Sequence, residues 1–110
     1  MPYGAYRCTD VVIANGQTTS NNLGVQVTDA ESIIIFTPAT LSTTTYTPQI
    51  TYDGTTFVPI WGGSANITFD QTMTSRAFPL DIRGARGFRI VASGAVGSAH
   101  TFVITKHAST

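Results

Sequence analysis

Three guanidiniums fall within seven residues in the segment Arg83-Gly84-Ala85-Arg86-Gly87-Phe88-Arg89. Such a group can grip carboxylates, phosphates or the acidic patch of a partner, because each guanidinium offers a planar fork of N–H donors. The competing reading pairs these arginines with Asp81 and Asp70, or sets them along strand edges where charge discourages aggregation. Trp61, the sole tryptophan, stands at the head of the loop-like run Trp61-Gly62-Gly63-Ser64. Tyr3 and Tyr6, with Pro2 and Gly4 around them, offer apolar area with a polar tip, the kind of side chain that interfaces favour. Tyr3, Tyr6, Trp61, Arg83, Arg86 and Arg89 are therefore the candidate protein-interface residues.

Catalytic chemistry finds little support. Neither His100 nor His107 sits in a motif that brings nucleophile, base and orienting group together. His100 reads as the start of a strand and His107 as part of a solvated end. The carboxylates Asp10, Asp29, Glu31, Asp53, Asp70 and Asp81 mostly flank turns, as turn formers do and as glycosidase pairs do not. No Gly-rich phosphate loop, zinc spacing or calcium-loop series is present, so no catalytic residue, no metal and no cofactor is expected. Asn66-Ile67-Thr68 matches the glycosylation triplet but has no secretory route behind it. The lone Cys8 rules out an internal disulfide framework.

The elements that must position these residues are short strands. β-branched and aromatic runs alternate with Gly, Pro, Asn and Asp, and helix signals are nearly absent. Strands are expected over Cys8–Ala14, ending at Asn15-Gly16; around Leu23, Val25 and Val27, by period two; and over Ser32–Thr37, whose continuous apolar run fits a strand buried on both sides or one crossing an interface. Tyr46, Pro48, Ile50 and Tyr52 share one face of the next strand, which an Asp53-Gly54 turn joins to Phe57–Ile60. Pro48 and Pro59 remove ladder donors and so belong near edges or bulges. Ile67 and Phe69 form another strand, with Phe78–Ile82 as its expected partner. Gly87–Ser93 and His100–Thr105 complete a set of about eight, which fits an all-β antiparallel sandwich of jelly-roll or Greek-key type.

With 110 residues there is room for one domain and one core. The expected organisation is an N-terminal arm over 1–7, the sandwich over 8–106 and a tail over 107–110. Only 11% of residues are charged while 42% are hydrophobic, and Thr recurs throughout, a composition of sheet surfaces that face other protein. Residues 1–75 carry one basic and five acidic side chains, and residues 76–110 five basic and one acidic. Opposite-signed halves favour self-association or a charged scaffold, and zero net charge without a basic, aromatic-laced stripe argues against nucleic acid as a partner. No basic stretch followed by an apolar run opens the chain, so synthesis in the cytoplasm is expected, and no apolar run is long enough for a membrane helix.

Asn15-Gly16-Gln17-Thr18-Thr19-Ser20, Pro38-Ala39, Tyr52-Asp53-Gly54-Thr55-Thr56-Phe57 and Gly84-Ala85-Arg86-Gly87-Phe88-Arg89-Ile90 together resemble small tailed-bacteriophage virion proteins of β-sandwich type, across most of the chain. That resemblance implies a capsid decoration or cement protein on the capsid exterior, often a homotrimer, which stabilises the head by binding major capsid subunits. Tyr52, Asp53, Gly54, Phe57 and Arg86 to Arg89 also resemble the aromatic strand, turn and late Arg-aromatic-Arg strand of discoidin-like carbohydrate-binding sandwiches, a family that commonly has a terminal cysteine pair this chain lacks. The alternative function this implies is a tail or fibre module for host glycans, with an aromatic platform around Trp61 and Tyr52. Both readings make the protein a binder and not an enzyme.

Overall fold

The computed structural model describes residues 4–108. Among them are nine strands: β1 (Gly4–Arg7), β2 (Val11–Ile13), β3 (Ala30–Phe36), β4 (Thr45–Thr51), β5 (Phe57–Pro59), β6 (Phe69–Asp70), β7 (Ala77–Asp81), β8 (Gly87–Ala92) and β9 (His100–Ala108). All named pairings are antiparallel. A five-stranded sheet runs β1-β9-β3-β7, with β2 beside β1 on the same strand β9, and a four-stranded sheet places β5 and β6 along β4, which also pairs with β8. The chain changes sheet at β3 to β4, at β6 to β7, at β7 to β8 and again at β8 to β9, the interleaving that makes an all-β sandwich of two packed sheets.

Alternation along each strand builds the core. In β9, Phe102 and Ile104 are buried while Thr101, Val103 and Thr105 face outward, and in β8 Phe88, Ile90 and Ala92 are buried. Tyr46 is at the centre: its ring stacks on Phe69 at 5.2 Å and meets Phe102 edge-on at 6.0 Å. Aromatic pairs of this geometry add to the area they bury.

Several expected elements differ. Leu23 and Val27 are buried as the period predicted, but Val25 is 83% exposed, and Gly24–Val27 is a 3-10 turn. The polar run before it forms no free loop: backbone bonds from Ser20 to Ile90 and from Leu23 to Phe88 lay it along the outer edge of β8. The partner foreseen for the Ile67–Phe69 strand lies in the other sheet, since β7 pairs with β3. Phe69 and Phe78 do meet, with ring centroids 5.1 Å apart, yet across the core and not along a ladder. The Gly62-Gly63 loop is a tight hairpin closed by the Gly62 amide on Ala65 O (2.7 Å) and the Ile67 amide on Ile60 O (2.8 Å). Of the segment expected as an arm, Gly4–Arg7 is a strand paired with Thr105–Ala108, which carries β9 past the expected domain boundary at 106.

The sheet margins are distinctive. Pro79 occupies the middle of β7 and Pro59 the end of β5, both of which pair on one side only among the described residues. Pro48 falls between the β4 residues that pair with β6 and those that pair with β5, where a missing N–H costs no ladder bond. On β2 the Val12 amide donates to Asn21 Oδ1 (2.8 Å), and Asn21 Nδ2 donates to Asp10 O (3.2 Å).

Candidate interaction surfaces

The seven-residue arginine segment spans the crossover from β7 to β8, and the fold pulls its charges apart. Arg83 turns back to Asp81, with Nη2 3.1 Å from Oδ2, and Asp81 is opposite Ser32 on the outer face of the five-stranded sheet. The hydrogen bonds from Arg83 hold the Asp81 carboxyl below its ordinary range, and Asp81, with Glu31 nearby, raises Arg83. Arg89 lies on the outer face of the other sheet, opposite Gln49. Its Nε donates to Gln49 Oε1 (2.8 Å), and its guanidinium carbon is 4.0 Å from the centroid of Phe57, a cation–π contact. Arg86, between them, is exposed and makes no side-chain ion pair among the described residues. The three do not form one patch.

The other expected residues are also dispersed. Tyr3 lies outside the described residues. Tyr6 is half-buried opposite Lys106, on the side of the sheet that carries Ile33. Trp61 is 64% exposed. The hairpin register, Thr51 with Phe57 and Gln49 with Pro59, puts Tyr52 at the turn and Trp61 at the opposite end, roughly 16 Å away at the rise of a strand. The Trp61–Tyr52 platform is therefore not assembled.

Of the two readings of the Ser32–Thr37 run, a strand buried on both sides or one crossing an interface, the first fails. Ser32–Thr37 is not buried on both sides: Ile33 and Ile35 enter the core, while Ile34 and Phe36 remain 37% and 38% exposed. The register puts Pro79 and Thr105 beside Ile34, and Ala77 and Val103 beside Phe36. These six form an uncharged band over three strands, with ionisable side chains only around it. At one end Glu31 Oε1 is 3.6 Å from His107 Nδ1. A bulge between Ala30 and Ser32 adjoins a depression of about 140 Å³ lined by Ala5, Ser32, Ile34, Thr105 and His107 among others. The signal was present in the sequence as an unbroken apolar run, since a strand with one wet face has no need of Ile34 or Phe36.

Sequence spacing also hid a serine–histidine contact. His100 is 3% exposed, and its Nε2 lies 2.8 Å from Ser42 Oγ and 3.0 Å from the Ser42 amide. Because an amide can only donate, Nε2 is an acceptor and the ring is neutral with its proton on Nδ1. Burial pushes the His100 pKa down. Ser42 Oγ accepts from the Gly97 amide (3.0 Å), and Tyr46 Oη donates to Ser42 O (3.0 Å). No carboxylate bonds the ring among the described residues, so the arrangement works as a latch between two loops and lacks the orienter of a hydrolytic triad.

Cys8 is buried, and desolvation raises its thiol pKa. Nearby, Lys106 Nζ donates to Gln26 O (2.6 Å) and to Asp29 Oδ1 (2.8 Å), and that bond lowers Asp29. No group of three or more His, Cys, Asp or Glu able to hold a metal occurs among the described residues, nor does a helix long and apolar enough to cross a membrane.

No protein-family model and no curated protein sequence matches the chain. Two solved structures share its fold. The SPBc2 prophage-derived protein YomS superposes with a TM-score of 0.67 over 97% of this chain and 94% of that one, at 9% identity. A structure described as Bacillus endospore appendages that form disulfide-linked pili superposes with a TM-score of 0.55 over 98% of this chain and 90% of that one, at 13% identity.

Proposed function

We propose that this chain is a virion structural protein, a capsid decoration protein that docks on major capsid subunits through the outer face of its five-stranded sheet and self-associates, with a trimer favoured. The observation that carries the reading is the uncharged band around Ile34 and Phe36, which leaves large apolar side chains in water unless another protein covers them. The likeness of fold to a prophage-derived protein and to a pilus subunit supports a structural role assembled from many copies. The pili are described as disulfide-linked. Here the one cysteine is buried, so association in this chain rests on surface complementarity. Symmetry multiplies modest contacts into a stable shell.

The test is light scattering of the purified protein, followed by co-sedimentation with phage capsids lacking it. Capture by the capsids and a rise in their melting temperature support the reading. Replacing both Ile34 and Phe36 by Thr should abolish capture while leaving the fold intact. A protein that ignores capsids, or a double variant that binds them normally, overturns it.

A further inference from the structure

The opposite face of the sandwich has a different chemistry. Alternation turns Ile60 to the core while Trp61 stays exposed, so Trp61 continues the outward row of Phe57 and Pro59. Pro59 pairs with Gln49, and Gln49 with Arg89. Trp61, Pro59, Gln49 and Arg89 therefore share the outer face of the four-stranded sheet. Two strand spacings and a two-residue rise separate the Trp61 and Arg89 backbones by about 12 Å, and the Arg89 guanidinium leans over Phe57, four residues or about 13 Å along the strand from Trp61.

Both ends of this strip are held ready. The Trp61–Asn66 bridge and the backbone bonds of the Gly62 hairpin fix the base of the indole. A Cβ on Gly62 would lie 3.1 Å from Ala65 O and from Ile67 Cγ1, so any larger residue there would have to push the hairpin open by a few tenths of an ångström. The indole has no aromatic partner and no hydrogen bond among the described residues. At the other end Gln49 and Phe57 hold the Arg89 guanidinium flat by Nε and by its face, which leaves Nη1 and Nη2 as four N–H donors with no acceptor among the described residues. The acidic groups at the strip's corners are already engaged: Asp53 Oδ1 accepts from the Thr55 and Thr56 amides, and Asp70 Oδ1 from Thr72.

We propose that this strip binds a carboxylate-bearing oligosaccharide, with a sugar ring stacked on Trp61 and a sugar carboxylate on the Nη pair of Arg89. An exposed indole on a fixed stretch of backbone offers a flat ring that matches the C–H face of a pyranose. A pre-oriented fork of unmet N–H donors matches a carboxylate, which accepts two parallel hydrogen bonds. A single exposed aromatic and one central cation do not make the repeated stacking platform and basic groove that single-stranded nucleic acid uses. The site is independent of the docking face, which lies on the other sheet.

The experiment titrates the intact protein with oligogalacturonate and with its methyl-esterified form, read by the fluorescence of the sole tryptophan and by calorimetry. The free acid should bind and the ester should bind about tenfold or more weakly. Arg89→Gln should bring the acid down to the level of the ester, and Trp61→Ala should abolish calorimetric binding while its capsid capture stays unchanged. Equal affinity for acid and ester, calorimetric binding retained in Trp61→Ala, or no binding at millimolar sugar overturns the proposal. The comparison of acid with ester uses the unaltered protein and stands even where a variant is poorly folded.

Discussion

Replacing Gly87 by Ala should destabilise the fold, although the backbone there has no glycine-only conformation. An added Cβ would lie 2.6 Å from Asn22 Oδ1 and 2.9 Å from Thr51 Cγ2. Neither neighbour is free to yield. Asn22 Oδ1 accepts from the Gly24 amide (2.9 Å) and the Phe88 amide (3.2 Å), while Thr51 Oγ1 accepts from Gly54 (3.0 Å) and donates to Asp53 (3.0 Å). Displacing Asn22 sacrifices two hydrogen bonds at about 1 kcal/mol each. Overpacking adds about 1 kcal/mol or more, and the stiffer unfolded chain returns roughly 0.4–1 kcal/mol. The net loss is about 2 kcal/mol, or roughly 8 °C in Tm for a chain of this length. Thermal and urea unfolding followed by circular dichroism measure it. Gly94→Ala is the control: its Cβ would meet only Thr44 Oγ1, at an ordinary 3.6 Å, and it should be neutral or gain a few tenths of a kcal/mol. Equal stability of the Gly87 and Gly94 variants would refute the claim that Asn22 is pinned.

Acid should weaken the fold in two separate windows. The folded-state pKa of His100 is depressed by burial, so the unfolded chain binds the extra proton, and stability that is full above about pH 6.5 declines as pH falls below it. Urea midpoints measured between pH 8 and 5 should show the decline, and His100→Asn should remove it. Asp29, Asp53, Asp70 and Asp81 are also depressed, from a reference of 3.8, so their contribution persists until pH falls through that lower region. Tyr46→Phe, which leaves Ser42 O without its hydroxyl donor, should cost about 1 kcal/mol in the same unfolding assay. Phe102→Ala, in the packed aromatic cluster, should cost about 3–5 kcal/mol. Cys8 should resist a thiol reagent in the native protein and react at once in denaturant, as expected of a buried thiol with a raised pKa.

Period-two patterning and turn residues made most of the sandwich legible, because strands with one face in a core must alternate and Asp53-Gly54 must turn. It failed where two arrangements share a pattern. Leu23 and Val27 are four apart and reach the core from a 3-10 turn as well as from a strand, so only the exposure of Val25 distinguishes the two. Phe69 and Phe78 attract in either sheet, and the alphabet of residues does not say whether they meet along a ladder or across the core. The sites were harder to read. Adjacency in sequence suggested an arginine cluster that the β7–β8 crossover divides between opposite faces, and the Tyr52–Trp61 platform failed because a hairpin sends its two ends apart. Distance in sequence concealed Ser42 beside His100 and Arg89 beside Gln49, contacts that exist only once β4, β8 and β9 are in register.

The treatment of the sheet margins bears on life at high local concentration. Copies packed side by side at micromolar to millimolar density are at risk of zipping together through unfinished strands into endless cross-β ladders. Pro79 and Pro59 have no amide hydrogen to offer such a neighbour, Asn21 already occupies the Val12 amide and Asp10 O, and the stretch through Ser20 and Leu23 covers β8. Along these margins a neighbouring strand therefore finds few free amide hydrogens to pair with, which disfavours edge-to-edge fusion of copies held at high concentration.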